Sequence, residues 1–279
     1  MLTGVSSRLL LVVACLLASL ANSPAQVLYD GTLGLPAAQG WSFFATGGTQ
    51  TGTGTGAQLD TTAANSFQGG YSLTSSTLNR TNGFAVRFTS RMIAEAHANN
   101  NRGGLAVIVL ADDHRGVELA FWTNTIFAQS DSPLFTQAEA TNFVTTATVD
   151  YTLSFRPTNY VLLANGAPIL SGFVRDYSAF AGFPNPYSSQ NFLFLGDDTT
   201  SAAGNFVLNK VVLVSAPQLV LHPNKIFTWI GVSNQTYTVQ SSSNLTSWAA
   251  AASATSVSTN FSFTNSSTAS PRFFRVSYP

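Results

Sequence analysis

The chain has 279 residues, 45% of them hydrophobic and only 9% charged, with 12 Lys and Arg against 12 Asp and Glu. Sparse, balanced charge without a basic run argues against a nucleic-acid partner, whose binding rests on clustered Lys and Arg. The apolar content is too high for a disordered chain, and solubility rests on Ser, Thr, Asn and Gln.

The N-terminus carries an address. Arg8 precedes Leu9–Leu20, a run with one polar side chain, Ser19, followed by the small-x-small pattern Ser23-Pro24-Ala25. This order predicts a secretory signal peptide over residues 1–25. Its apolar run is shorter than the roughly 20 residues of a membrane-spanning helix, so no transmembrane helix is expected in the mature chain. The product is expected outside the cytoplasm, secreted or at the cell surface. The only Cys is Cys15, within the signal. Val12–Cys15 loosely matches a lipoprotein signal, but cleavage there would strand Leu16–Leu20 on the mature protein. A mature chain without disulfides must be held by its core alone, which suits a bacterial export product.

Strand signals follow in order. Residues 47–56 alternate Gly and Thr and predict an exposed loop; the absence of a Lys there excludes a phosphate loop. Phe84, Val86 and Phe88 alternate with smaller or polar residues, the period of a half-buried strand. Residues 91–98 fit either a turn or two of helix or a continuation of that strand. Leu105–Leu110 is unbroken apolar sequence and predicts a central strand covered on both faces. Val117–Trp122 and Thr125–Gln129 follow across a short turn. Val149–Phe155, Tyr160–Ala164 and Ile169–Phe173 predict a meander, with Asn165-Gly166 as a type I′ turn. Phe183–Pro186 is a Pro-rich loop. Strands are expected at Asn191–Leu195 and Asn205–Val214, joined by a polar loop over residues 196–204. Ser215–Pro217 marks a boundary, and residues 217–279 predict a small all-β module that packs against residues 26–215. Many short strands without a βαβ rhythm predict two packed antiparallel sheets.

The segments Leu28–Trp41, Asn100–Leu110, Arg115–Trp122, Ile126–Gln129 and Phe194–Asp198 resemble the "choice-of-anchor" secreted bacterial domains, which are similar to the concanavalin A-like lectin/glucanase (LamG-like) jelly roll. The resemblance covers about residues 27–215 and implies an all-β, concanavalin A-like jelly-roll sandwich. Residues 237–248 resemble a fibronectin type III-like β-sandwich tail of secreted bacterial proteins. The jelly-roll resemblance also implies a structural calcium, with Asp30, Asp197 and Asp198 as the matching residues; the alternative for all three is turn capping. Asp112-Asp113 reads as a turn.

Retaining glycoside hydrolysis needs two carboxyl groups about 5–5.5 Å apart. Glu118 lies on a good strand, but Gly116, Ala120 and Trp122 share its face and none supplies the second acid. On a strand, Glu95 and His97 would share a face and could do acid–base work; a surface ion pair is the plainer alternative. His114 and His222 lie near turns and read as solvated, and the spacing of the three His fits no zinc site. Trp122, Tyr177, Phe183 and Tyr187 are available as sugar platforms, each also readable as core or rim, while Trp41 reads as core. The expectation is a secreted, non-catalytic recognition or adhesion protein with a glycan or cell-surface polymer as partner. A structural envelope or matrix component, and a glycan-active enzyme whose residues meet only in space, remain as alternatives.

Overall fold

The computed structural model describes residues 25–74, 76–215, 219–230, 236–257, 260–266 and 273–277. The expected signal peptide, save Ala25, and the expected boundary at Ala216-Pro217 lie outside the described residues.

The chain is strand after strand. In order they are β1 (Ala25–Asp30), β2 (Ser42–Thr46), β3 (Thr49–Gly52), β4 (Ala57–Asp60), β5 (Gln68–Leu73), β6 (Phe84–His97) and β7 (Leu105–Leu110). Then come β8 (Gly116–Phe121), β9 (Thr125–Asp131), β10 (Leu134–Asn142), β11 (Val149–Phe155), β12 (Asn159–Ala164), β13 (Ala167–Phe173), β14 (Phe192–Asp197) and β15 (Ala202–Ser215). An eight-stranded sheet runs β13-β12-β11-β6-β15-β4-β3, with β1 also on β15, and a seven-stranded sheet runs β10-β9-β8-β7-β14-β5-β2. Every strand pairing is antiparallel.

The two sheets stack on alternating apolar residues. Phe88 of β6 and Tyr151 of β11 stack at 5.0 Å, and Phe121 of β8 meets Tyr151 edge-on at 5.4 Å. These rings bind one sheet to the other in the offset and edge-to-face geometries that aromatic quadrupoles favour. They sit in a continuous core with Val107, Val109, Leu153, Leu195, Phe206 and Leu213, all buried.

Of residues 91–98, all but Ala98 continue the strand from Phe84: β6 spans 14 residues and pairs along its length with β15. The β partner decides between the two periods the sequence allows. Leu105–Leu110 is buried at every position, as the apolar run requires. Asn165 (φ 49) and Gly166 (φ 84) both adopt the left-handed conformation that a type I′ turn needs. The Gly/Thr segment is exposed but includes β3, which pairs with β4; β-branched Thr favours the extended backbone. The loop expected over 196–204 shortens to residues 198–201, because both flanking strands run on.

After residue 219 the chain forms β16 (Val220–His222), β17 (Ile226–Ile230), β18 (Thr236–Ser242), β19 (Ala249–Thr255), β20 (Asn260–Thr264) and β21 (Phe273–Ser277). They make two three-stranded sheets around a separate core of Trp229, Tyr237, Val239 and Phe261. No helix of the described residues is long and apolar enough to cross a membrane.

Gly104 and Gly204 let two backbones touch where β7 begins and β15 passes. A Cβ on Gly204 would overlap the Gly104 carbonyl, and one on Gly104 would overlap the Ala203 carbonyl. Gly52, with only Leu35 Cδ2 at 3.8 Å from such an atom, has room. Gly204→Ala is therefore expected to cost about 1–3 kcal/mol in urea melts through overpacking, while Gly52→Ala stays within about 0.5 kcal/mol. Equal effects from the two substitutions would contradict this packing.

Candidate functional site

The outer face of the seven-stranded sheet carries a buried acid. Along β8, Val117, Leu119 and Phe121 point into the main core, so Gly116, Glu118 and Ala120 occupy the opposite face. Glu118 is 1% exposed. The Tyr187 hydroxyl donates to its Oε2, and Arg102 Nη1 lies 3.3 Å from its Oε1. Its backbone N–H donates to the Tyr177 hydroxyl at 3.1 Å, which in turn donates to the Gln129 carbonyl at 2.8 Å.

Three connections deliver this cover. Asn185 caps the short turn Pro186–Ser188, its Oδ1 accepting from the Tyr187 N–H at 3.0 Å and its Nδ2 donating to the Phe180 carbonyl at 2.9 Å. That fixes Tyr187 over the sheet. The segment 98–104 is tied down by Gln129 Nε2 donating to the Asn101 carbonyl (2.7 Å) and by the Trp122 indole donating to the Arg102 carbonyl (2.7 Å). The start of β10 supplies Phe135, whose ring lies 4.3 Å from the Arg102 guanidinium carbon and 5.4 Å from Tyr187.

Burial sets the electrostatics. It pushes the Glu118 carboxyl up to about 8, with the charge of Asp198 adding and Arg102 and Tyr187 opposing. Asp197 is likewise pushed up to about 8 by burial, against hydrogen bonds from Thr61 and Thr199. Asp198 and Glu95 are raised by burial too, opposed by Arg102 and His97 respectively.

Glu95 and His97 do meet: His97 Nδ1 is 3.0 Å from Glu95 Oε1, and the imidazole stacks on Trp122 at 4.1 Å. Trp41 is core, its indole donating to the Leu28 carbonyl at 2.8 Å. Tyr177 and Tyr187 are buried in the cover, whereas Phe183 is 100% exposed. His222 is exposed and contacts Thr228 Oγ1 at 2.6 Å. His114 is only half-exposed, since its turn is pinned by the Asp112 N–H on the Leu78 carbonyl; its Nδ1 is buried with no partner among the described residues.

Asp30 and Asp197 lie in separate hydrogen-bond networks. Asp30 Oδ1 accepts from the Thr32 N–H and hydroxyl, and Lys210 Nζ is 3.7 Å from Oδ2. Asp197 Oδ2 accepts from the Thr61 hydroxyl at 2.5 Å, and Thr61 bonds Gly204. Lys210 and Gly204 are six residues apart on β15, or about 20 Å along a strand. Calcium takes six to eight oxygens; a lysine beside Asp30 and turn-capping bonds on both carboxylates are the wrong environment for it. Among the described residues no group of three or more His, Cys, Asp or Glu could hold a metal.

Beside the cover a small pocket of about 300 Å³ opens, lined by Asp113, His114, Asp176, Ser178, Asn185 and Tyr187 among others. Arg80 Nε holds Asp113 at 2.9 Å, and Asp176 Oδ1 accepts from the Ser178 N–H at 3.0 Å. Both carboxyls are held below the usual carboxylate range, Asp113 chiefly by the Arg80 hydrogen bond and Asp176 by Ser178. They stay charged acceptors at neutral pH.

Comparison with solved structures agrees with this two-sheet architecture. The "conserved carbohydrate esterase vb_24B_21 from Shiga toxin-encoding bacteriophage phi24B" superposes with a TM-score of 0.50 at 13% identity, over 69% of this chain and 100% of that one. The fold is a concanavalin A-like jelly roll. A galectin-like protein from Bacillus subtilis (TM-score 0.46, 10% identity, 68% and 96% coverage) and the Ca2+/Man-bound exoplasmic/lumenal domain of VIP36 (0.44, 11%, 72% and 92%) are also similar. No protein-family model and no curated protein sequence matches the chain.

The buried acids give the jelly roll an unusual pH dependence. Because Glu118 and Asp197 titrate near 8 when folded, the folded chain binds more protons than the unfolded one from the usual carboxylate range up to about pH 8. Stability then falls as pH rises through that window, by up to about 1.4 kcal/mol per pH unit for one such group. Melting temperature should drop from pH 5 to pH 8, and Glu118→Gln should flatten the drop. A native chain whose melting temperature holds or climbs over that range would contradict the assignment.

Proposed function

We propose that this is an exported carbohydrate-recognition protein, acting outside the cell as a secreted or surface-bound module. The observation that carries the reading is the rim pocket: two ionised carboxylates, a histidine with an orphan buried nitrogen and a tyrosine around a volume at the small end of ligand sites. Sugar hydroxyls donate to carboxylates and accept from amide or imidazole N–H groups. Phe183, two residues before Asn185 and fully exposed, offers an apolar face for the ring carbons.

Recognition is favoured over hydrolysis because Glu118 is shut beneath Arg102, Tyr177 and Tyr187, out of reach of a polymer. The export pattern at residues 1–25 and the absence of Cys from the chain after it support an extracellular address. The resemblance of residues 237–248 to a fibronectin type III-like tail supports a role for the last module in attachment, in keeping with the choice-of-anchor reading.

A glycan array followed by calorimetry on the hits tests it. Phe183→Ala and Asp176→Asn should each weaken binding at least tenfold, and Phe183→Ala should leave the melting temperature unchanged. Absence of any glycan ligand, or hits indifferent to both substitutions, would overturn it. The contact between Glu95 and His97 favours a glycan-active enzyme as the second reading; there Glu95→Gln would abolish turnover of a glycan substrate.

A further inference from the structure

The outer face of the eight-stranded sheet carries two arginines that nothing holds. Phe84, Val86, Phe88 and Met92 of β6 belong to the main core, so Arg87, Thr89 and Arg91 point to the opposite face. Arg91 is exposed and Arg87 half-buried. Arginines elsewhere are engaged: Arg80 with Asp113, Arg102 with Glu118, Arg115 with Asp176, Arg175 with Glu139 and Arg275 with Gln240. Arg156 is not free either. Arg87 and Arg91 have no hydrogen-bond or ion-pair partner among the described residues.

Strand register places their surroundings. β6 lies in mid-sheet between β11 and β15. Arg87 is opposite Thr152 on one side and Val212 on the other, and Val212 is opposite Val27, which is 53% exposed. Thr89, between the two arginines, is opposite Asp150 and Lys210, and Lys210 is opposite Asp30. The charges of that middle row are occupied within it: Thr89 Oγ1 donates to Asp150 Oδ1 at 2.6 Å, and Lys210 Nζ is 3.7 Å from Asp30 Oδ2. The two guanidinium groups remain without a counter-charge.

Four residues along a strand separate the two arginines by about 13 Å. No single oxyanion spans that distance, so a ligand that uses both carries anionic groups repeated along its length. Each Arg presents a planar fork suited to carboxylate or sulfate oxygens. Nucleic acid is disfavoured, since it rewards a longer track of cations. A plane of anionic headgroups would press against Asp150 and Asp30 as well, whereas a polymer running along β6 passes over Thr89 with those acids to either side.

We propose that the outer face of the eight-stranded sheet binds an acidic polysaccharide along β6, with successive carboxylate or sulfate groups on Arg87 and Arg91. The site is on the other sheet from the rim pocket; it shares the extracellular address of the proposed function and not its pocket.

The test is affinity electrophoresis and calorimetry of the full chain with polygalacturonate, dextran sulfate and neutral dextran, beside sedimentation with phosphatidylglycerol vesicles. Binding to an acidic polymer is expected, weakening as salt rises, with little retention by dextran. Polygalacturonate alone would assign a uronate, dextran sulfate alone a sulfate ester. Arg87→Gln and Arg91→Gln should each weaken binding at least fivefold. Arg115→Gln, which removes the same charge from the β7–β8 turn of the other sheet, should leave it intact. Should Arg87→Gln disturb the fold, the exposed Arg91→Gln still decides. Failure of both acidic polymers to bind, binding that Arg91→Gln leaves intact, equal weakening by Arg115→Gln, or capture by the vesicles alone would overturn the proposal. Loss of neutral-glycan binding in Phe183→Ala with acidic-polymer binding retained would separate this face from the rim pocket.

Discussion

Strands β7, β8 and β14 are buried from end to end, so the seven-stranded sheet needs cover on both of its faces. The eight-stranded sheet supplies one cover through Phe88, Tyr151 and their neighbours. The other must come from connections, because the described residues include no long helix to lay across it. Segments 98–104 and 174–191 and the start of β10 do this with Arg102, Tyr177, Phe180, Tyr187 and Phe135. Without a disulfide in reach, packing alone holds these loops, and each is pinned by a few side-chain hydrogen bonds to backbone.

Covering a sheet with loops has a consequence for any acid beneath them. Glu118 lies among Ala120, Ile108 and Phe194 on the covered face, where a carboxylate is poorly solvated. Tyr187 and Arg102 satisfy its oxygens. Those partners offset only part of the desolvation, and the proton stays on into the range of pH 8. The rim pocket opens beside that closed face.

Much of the sandwich was legible in the sequence, and the reason is local. Leu105–Leu110 reads as a strand covered on both faces, and Asn165-Gly166 as a tight hairpin turn. β5 escapes because Gly69-Gly70 has poor strand propensity; it is needed there because the Phe194 ring lies against Gly70. β10 escapes because Thr, Gln, Glu and Asn along Leu134–Asn142 leave no apolar face to read. At the site, the strand neighbours of Glu118 follow from alternation. Arg102, Tyr177 and Tyr187 come from 16, 59 and 69 residues away, and only tertiary packing selects them. A lone Glu within an apolar strand was the available sign that such partners exist. Asp30 and Asp197 likewise take partners that spacing does not select, Lys210 for one and Thr61 for the other.

The central claim is that loops close over the outer face and keep water from the Glu118 carboxyl. A carbon-13 NMR titration of that carboxyl measures it directly. The account predicts a midpoint near pH 8 and a protonated carboxyl at pH 6. A midpoint in the usual carboxylate range would mean that the face is open to solvent, and would contradict the account.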